Sequence, residues 1–182
     1  HDTCRRQRQM CIRDSHLIAS PMKALKAASN LAKKIGFLPI ILSDKLEGNA
    51  SKEGERMANL ALKIKKEKRY KNISLEKPIL LLSGGETTVK VNGLGKGGRN
   101  SEFALSMVHT LKGNKNILGL SIDTDGIDGS EDNAGAFFSY ETFLKSKKLN
   151  LDIKKYINNN DAFSFFEKTK AVSYTHLTLP TT

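Results

Sequence analysis

Ser83-Gly-Gly-Glu-Thr-Thr-Val-Lys-Val-Asn-Gly-Leu-Gly-Lys-Gly-Gly-Arg-Asn-Ser-Glu-Phe103 is the stretch whose reading decides the fold. The apolar run Ile79 to Leu82 leads straight into Gly84-Gly85, which predicts a buried strand followed by a glycine loop. A short β-like stretch at Thr88 to Val91 comes next. A second glycine cluster follows at Gly93, Gly95, Gly97 and Gly98, and a helical pattern begins at Arg99-Asn100. Glycine lets backbone N–H groups turn inward and approach a ligand without interference from Cβ. With Lys96 and Arg99 beside them, the two loops suit an anion such as a phosphate or a carboxylate.

Working outward, apolar runs of strand length alternate with amphipathic helices. Ser20-Pro21 starts a helix that closes at Gly36, and Phe37 to Leu42 reads as a strand. Ser43 to Ala50 reads as a loop, and Met57, Leu60, Ala61 and Ile64 share one face of a second helix. Beyond the glycine window the pattern predicts a helix over Asn100 to Lys112 and a strand over Ile117 to Ile122. A helix capped by Ser139 and two shorter helices follow. This alternation predicts an α/β layered fold with flanking helices and a sheet that is largely parallel or mixed.

The composition narrows the function classes. No apolar run approaches the ~20 residues of a membrane span, and the net charge of +11 comes from lysines scattered over polar helix faces. No aromatic RNA-binding motif or zinc-finger spacing accompanies them, so neither a membrane nor a nucleic acid is expected as a partner. Cys4 and Cys11 form no framework, and the cysteine-free remainder fits the cytoplasm.

Arg5, Arg6, Arg8 and Arg13 cluster with both cysteines at the start, in a chain that otherwise favours lysine. That beginning, with Met10 to Ser15, and the ending Val172 to Pro180 both resemble translated adapter sequence. Residues 1–15 and 171–182 are therefore expected to be a foreign or disordered arm and tail.

Gly93-x-Gly95-x-x-Gly98 formally matches a dinucleotide fingerprint, although the preceding β-like stretch is short and interrupted by polar residues. A Walker A loop is absent, because Lys96 is followed by Gly97. Asp123-Thr-Asp-Gly-Ile-Asp-Gly129 stands at the end of a predicted strand, and with Glu131 and Asp132 it crowds carboxylates into one loop. The spacing fails the EF-hand pattern. Magnesium, hydroxyl recognition and simple turn chemistry all remain open for Asp125 and Asp128. His109 reads as a packing or surface residue of a helix.

Ser83-Gly-Gly-Glu-Thr-Thr-Val, Gly97-Gly-Arg-Asn-x-Glu-Phe-Ala-Leu and Thr124-Asp-Gly-Ile-Asp-Gly, with Ala134-Gly-Ala behind them, resemble the C-terminal (MOFRL) domain of type II glycerate kinases. Leu46-Glu-Gly and Asn160-Asp161 with Phe165-Phe166 echo further family segments. Ser101, where the family usually has glutamine, is one departure, and Asn49, where it usually has glutamate, is another.

The resemblance implies an internal fragment of a two-domain kinase. Residues 16–70 would end the N-terminal domain, and residues 78–170 would form a truncated C-terminal domain. It implies transfer of a phosphoryl group from ATP to D-glycerate with magnesium, by a parent enzyme whose catalytic lysine lies outside this chain. Arg99 would be catalytic. Gly84, Gly85, Glu86, Thr87, Lys96, Gly97, Gly98, Asn100, Asp125 and Asp128 would bind substrate or nucleotide, and Asp125 and Asp128 would be the metal candidates. The alternatives are an NAD(P)H-dependent hydroxypyruvate reductase and a non-catalytic anion-binding module. The oligomeric state is left open.

Overall fold

The structure is a computed structural model, and it describes residues 20–71, 73–74 and 76–174. The expectations for residues 1–15, and those for 175–182, lie outside the described residues. The chain divides into two compact units.

The first unit contains residues up to Asp44 together with Lys77–Gly84. Its helix α1, Pro21–Lys34, starts where Ser20 accepts a hydrogen bond from the Lys23 N–H, and it buries Leu25, Ser29 and Ala32. Here strand β1, Leu38–Asn49, and strand β4, Ile79–Thr88, begin side by side. Leu38 donates its N–H to the Pro78 carbonyl at 2.8 Å.

Both strands continue into the second unit, Lys45–Glu76 and Gly85 onward. The predicted loop at Ser43 to Ala50 is therefore strand as far as Asn49, which then caps α2, Ala50–Glu67, by accepting from the Lys52 N–H. Gly84-Gly85 is likewise not a loop but the middle of β4, and Thr88 to Val91 is not a separate strand. Extended backbone wins at Gly85 because β4 lies hard against β1. A Cβ added at Gly85, whose φ is +146°, would sit 2.1 Å from the Leu46 nitrogen. Three residues on, Thr88 donates to the Gly48 carbonyl, so the two strands run parallel here.

A small antiparallel hairpin, β2 (Arg69–Tyr70) with β3 (Ile73–Ser74), follows α2. Helix α3, Arg99–Leu111, is the axis of this unit. Gly54 of α2 lets the two helices touch, since a Cβ there would meet the Phe103 carbonyl oxygen at 2.4 Å.

The other side of α3 packs on an antiparallel sheet of β5 (Gly119–Ile122), β6 (Gly135–Phe138) and β7 (Val172–Ser173). Val172 and Ser173, expected to open a foreign tail, are thus part of the sheet. The Ser173 carbonyl accepts from the Ala134 N–H at 2.9 Å. Parallel and antiparallel sheets thus occur together among the described residues, β1–β4 being parallel and β2–β3 and β5–β6–β7 antiparallel.

Helices α4 (Tyr140–Lys148), α5 (Ile153–Asn158) and α6 (Ala162–Thr169) complete the unit. Its core joins Ala104, Leu105 and Val108 of α3 to Phe138, Ile153, Phe165 and Phe166. Phe165 and Phe166 meet edge to face at 5.2 Å. Among the described residues no helix is long and apolar enough to cross a membrane.

Candidate functional site

Every residue of the cluster around Arg99 belongs to the second unit. Asp123 follows the last residue of β5, and Arg99 is the first residue of α3. Arg99 donates to one Asp123 oxygen through Nε at 3.1 Å and Nη2 at 2.5 Å, and its Nη1 pairs with Glu86 of β4. The two carboxylates differ in setting. The Asp123 side chain is 14% exposed and fixed from several sides, whereas that of Glu86 is 75% exposed. The hydrogen bond to Asp123 outweighs desolvation and, with that to Glu86, raises the Arg99 pKa above its ordinary value.

Asn100 extends the cluster. Its Oδ1 accepts from Ser121 at 2.8 Å, and its Nδ2 reaches Asp123 at 3.5 Å. Lys96 is exposed and pairs with Glu131 at 3.4 Å. The N–H groups of Gly97, Gly98 and Arg99 donate to no acceptor among the described residues. Three free N–H groups at a helix start, beside a guanidinium, are suited to an anion.

Other expected site residues have structural employment. Both oxygens of Asp128 are used inside the protein. Oδ1 accepts from the Asn100 N–H at 2.8 Å, while Oδ2 accepts from the Ser101 N–H at 2.7 Å and the Ser101 hydroxyl at 2.6 Å. Asp128 is fully buried, so it caps α3 in place of Gly98, which has no side chain to do so. It is not available to a metal or a substrate hydroxyl. The exposed Asp125 closes a local turn by accepting from the Ile127 N–H at 3.0 Å.

Among the described residues no group of three or more His, Cys, Asp or Glu side chains could hold a metal ion. Asp128, buried and bonded to α3, does not fit a magnesium site, whereas Asp125 is exposed with only Oδ1 engaged. Gly84 lies in the first unit, where a Cβ would meet Leu25 at 3.5 Å, an ordinary packing contact. Gly85 answers to Leu46, as above, and Thr87 is a half-buried strand residue. His109 is exposed on α3.

The second glycine cluster also has a local explanation. The N–H groups of Asn92 and Gly93 donate to Asn160 Oδ1 at 2.7 and 3.1 Å, and Leu94 donates to Asn159 Oδ1 at 3.3 Å. Gly95 donates to the Asn159 carbonyl at 2.9 Å, and Lys96 to Asp161 Oδ1 at 3.0 Å. Added Cβ atoms at Gly93 and Gly95 would meet Asn159 and Asp161 at 2.4 and 2.3 Å. These glycines admit the α5–α6 turn rather than a pyrophosphate, and the strand before them, β4, ends at Thr88, short of the cluster. The dinucleotide fingerprint is thus a coincidence of spacing.

Sequence reasoning placed Asp123 in a crowded loop without pairing it to Arg99, and it missed Ser121 and Asn159. The one available signal was the position of Asp123 at a strand end.

A helix N-terminus, an arginine and two carboxylates thus form one cluster in this α/β unit, an arrangement suited to a phosphate or a carboxylate. The MOFRL family model matches residues 79–181, and the chain belongs to the MOFRL family. It is 38% identical over 160 residues to the D-glycerate 2-kinase of Thermotoga maritima, covering 88% of this chain and 37% of that protein. It is 39% identical over 167 residues to an Agrobacterium vitis protein provisionally named hydroxypyruvate reductase, covering 91% of this chain and 36% of the relative. The crystal structure of the Thermotoga maritima glycerate kinase matches with a TM-score of 0.77 at 37% identity, over 89% of this chain and 38% of that one. The chain thus spans little more than a third of the length of these relatives.

Proposed function

We propose that this chain is part of an ATP-dependent glycerate 2-kinase that transfers the γ-phosphoryl group to D-glycerate, giving 2-phosphoglycerate. One observation carries the reading: Arg99 opens α3 beside three unpaired N–H groups, with one fixed and one exposed carboxylate partner. Phosphoryl transfer asks the protein for positioning and charge neutralisation more than for covalent chemistry. Asp123 holds the guanidinium plane. Glu86 is the partner that an incoming phosphate or glycerate carboxylate displaces from Nη1, so the fork meets the ligand already oriented.

Gly97, Gly98 and the Arg99 backbone supply further N–H donors, and Lys96 adds positive charge at the rim. Asn100, held by Ser121, offers its amide to a substrate oxygen. Magnesium neutralises phosphate charge in such reactions; Asp128, spent on Asn100 and Ser101, would not hold it, and the exposed Asp125 would be the carboxylate left to do so beside the substrate phosphates. The reductase reading loses its main sequence support with the dinucleotide fingerprint.

The test is turnover by the full-length parent. ATP-dependent, NADH-independent conversion of glycerate with ADP release is the expected result. NADH-dependent reduction of hydroxypyruvate without ADP release overturns it.

A further inference from the structure

We infer that Asn160 is a positioning residue for this reaction, tying the glycine loop to helix α3 so that Lys96 and Arg99 are presented together; this rests on the kinase reading above. Asn160 sits in the turn between α5 and α6 with φ +52°, a left-handed conformation that asparagine tolerates better than most residues. Both ends of its side-chain amide are engaged. Oδ1 accepts from the N–H groups of Asn92 and Gly93, while Nδ2 donates to Glu102 Oε2 at 2.8 Å and to the Lys90 carbonyl at 3.3 Å. One amide therefore joins the start of the loop, the α5–α6 turn and the first turns of α3.

Two consequences place this joint at the site. Glu102 is one helical turn beyond Arg99, on the same side of α3, so the joint is anchored directly behind the guanidinium-bearing residue. The neighbouring residues then grip the far end of the loop. Asp161 Oδ1 accepts from the Lys96 N–H, and the Lys96 carbonyl accepts from the Phe163 N–H at 2.9 Å. Gly97 and Gly98, whose N–H groups are unpaired, follow immediately. The positions of those donors relative to Arg99 are set by a loop that Asn160 holds at one end and Asp161 at the other. Glu102 itself is buried and touches no part of the site cluster. Its carboxylate serves as the acceptor for this joint.

The polarity of the Asn160–Glu102 hydrogen bond supplies the test. N160D keeps the Oδ acceptors for Asn92 and Gly93 but sets a carboxylate against Glu102 and severs the joint. N160D/E102Q restores it with donor and acceptor exchanged, because the amide introduced on α3 then donates to the carboxylate introduced in the α5–α6 turn. In the full-length parent, N160D should lower kcat/KM about tenfold, chiefly through a raised KM for ATP, and N160D/E102Q should recover to within about threefold of wild type. Amide hydrogen exchange over Asn92 to Lys96 should rise in N160D and return to wild-type protection in the double variant.

Unchanged kinetics in N160D, or a loss that the double variant leaves in place while its unfolding midpoint is normal, overturns the proposal. A wild-type parent with no ATP-dependent transfer refutes the kinase reading instead. The exchange measurement then decides alone: wild-type protection in N160D shows that Asn160 does not tie the loop.

Discussion

Asp128 Oδ2 accepts both hydrogen bonds that Ser101 can donate, from its N–H at 2.7 Å and its hydroxyl at 2.6 Å, in a setting closed to solvent. A carboxylate 27 residues along the chain thus caps a helix whose own cap position is glycine. The short hydroxyl of Ser101 reaches the buried oxygen directly. The same buried pocket contains Asn133 Oδ1, which has no hydrogen-bond partner among the described residues.

Replacing Asp128 with asparagine should therefore cost stability rather than metal affinity. The amide can offer one acceptor to two backbone N–H groups and turns a donor toward the other. A loss of about 2 kcal/mol is expected, read from denaturant unfolding. An unchanged midpoint would return Asp128 to the list of ligands.

Arg99 should respond in the opposite way. In the full-length parent, R99K keeps the charge but loses the fork that meets Asp123 through Nε and Nη2. A drop of about 10²-fold in kcat/KM is expected, or ~2.7 kcal/mol of transition-state stabilisation. Stability should fall by less than about 1 kcal/mol, because the site is partly open to solvent. Wild-type kinetics would remove Arg99 from the chemistry.

Glu102 gives the fold a pH dependence. Burial raises its pKa above the ordinary 4.5, against a smaller opposing effect of the Asn160 hydrogen bond. Between the unfolded and the raised folded value, the folded state holds more protons, so stability falls as pH rises through that window. E102Q keeps an acceptor for Asn160 and has no charge to desolvate. It should be more stable than wild type at neutral pH, with the advantage fading as the pH is lowered through the window toward about 4. Parallel stability profiles for the two proteins, measured by urea titration across roughly pH 4 to 8, would contradict this.

Gly95 tests the packing account of the glycine loop. A methyl group there would lie 2.3 Å from the Asp161 Cβ and 2.5 Å from the Asn159 carbonyl oxygen. G95A should lower stability by about 2 kcal/mol through overpacking, visible as a lower thermal midpoint. A neutral effect would mean that the loop is free to serve a ligand.

The amino-acid sequence by itself determined the element types in the second half of the chain, because their causes are local. Ser139 and Asp152 cap the helices that begin at Tyr140 and Ile153, and the apolar period of α3 follows from residues four apart. It also determined the family, through motifs whose order survives in one dimension, and it singled out Arg99. It misread Gly84-Gly85 and Ser43 to Asn49, where the deciding contact is between strands some forty residues apart. Glycine looks the same in a sequence whether it admits a ligand or a neighbouring backbone. Only the tertiary structure could decide that Gly93 and Gly95 make room for Asn159 to Asp161, that Asp128 is spent on Asn100 and Ser101, and that Asp123 is the carboxylate which holds Arg99. Each of those choices depends on which distant group reaches a donor first, and that is fixed by packing around α3.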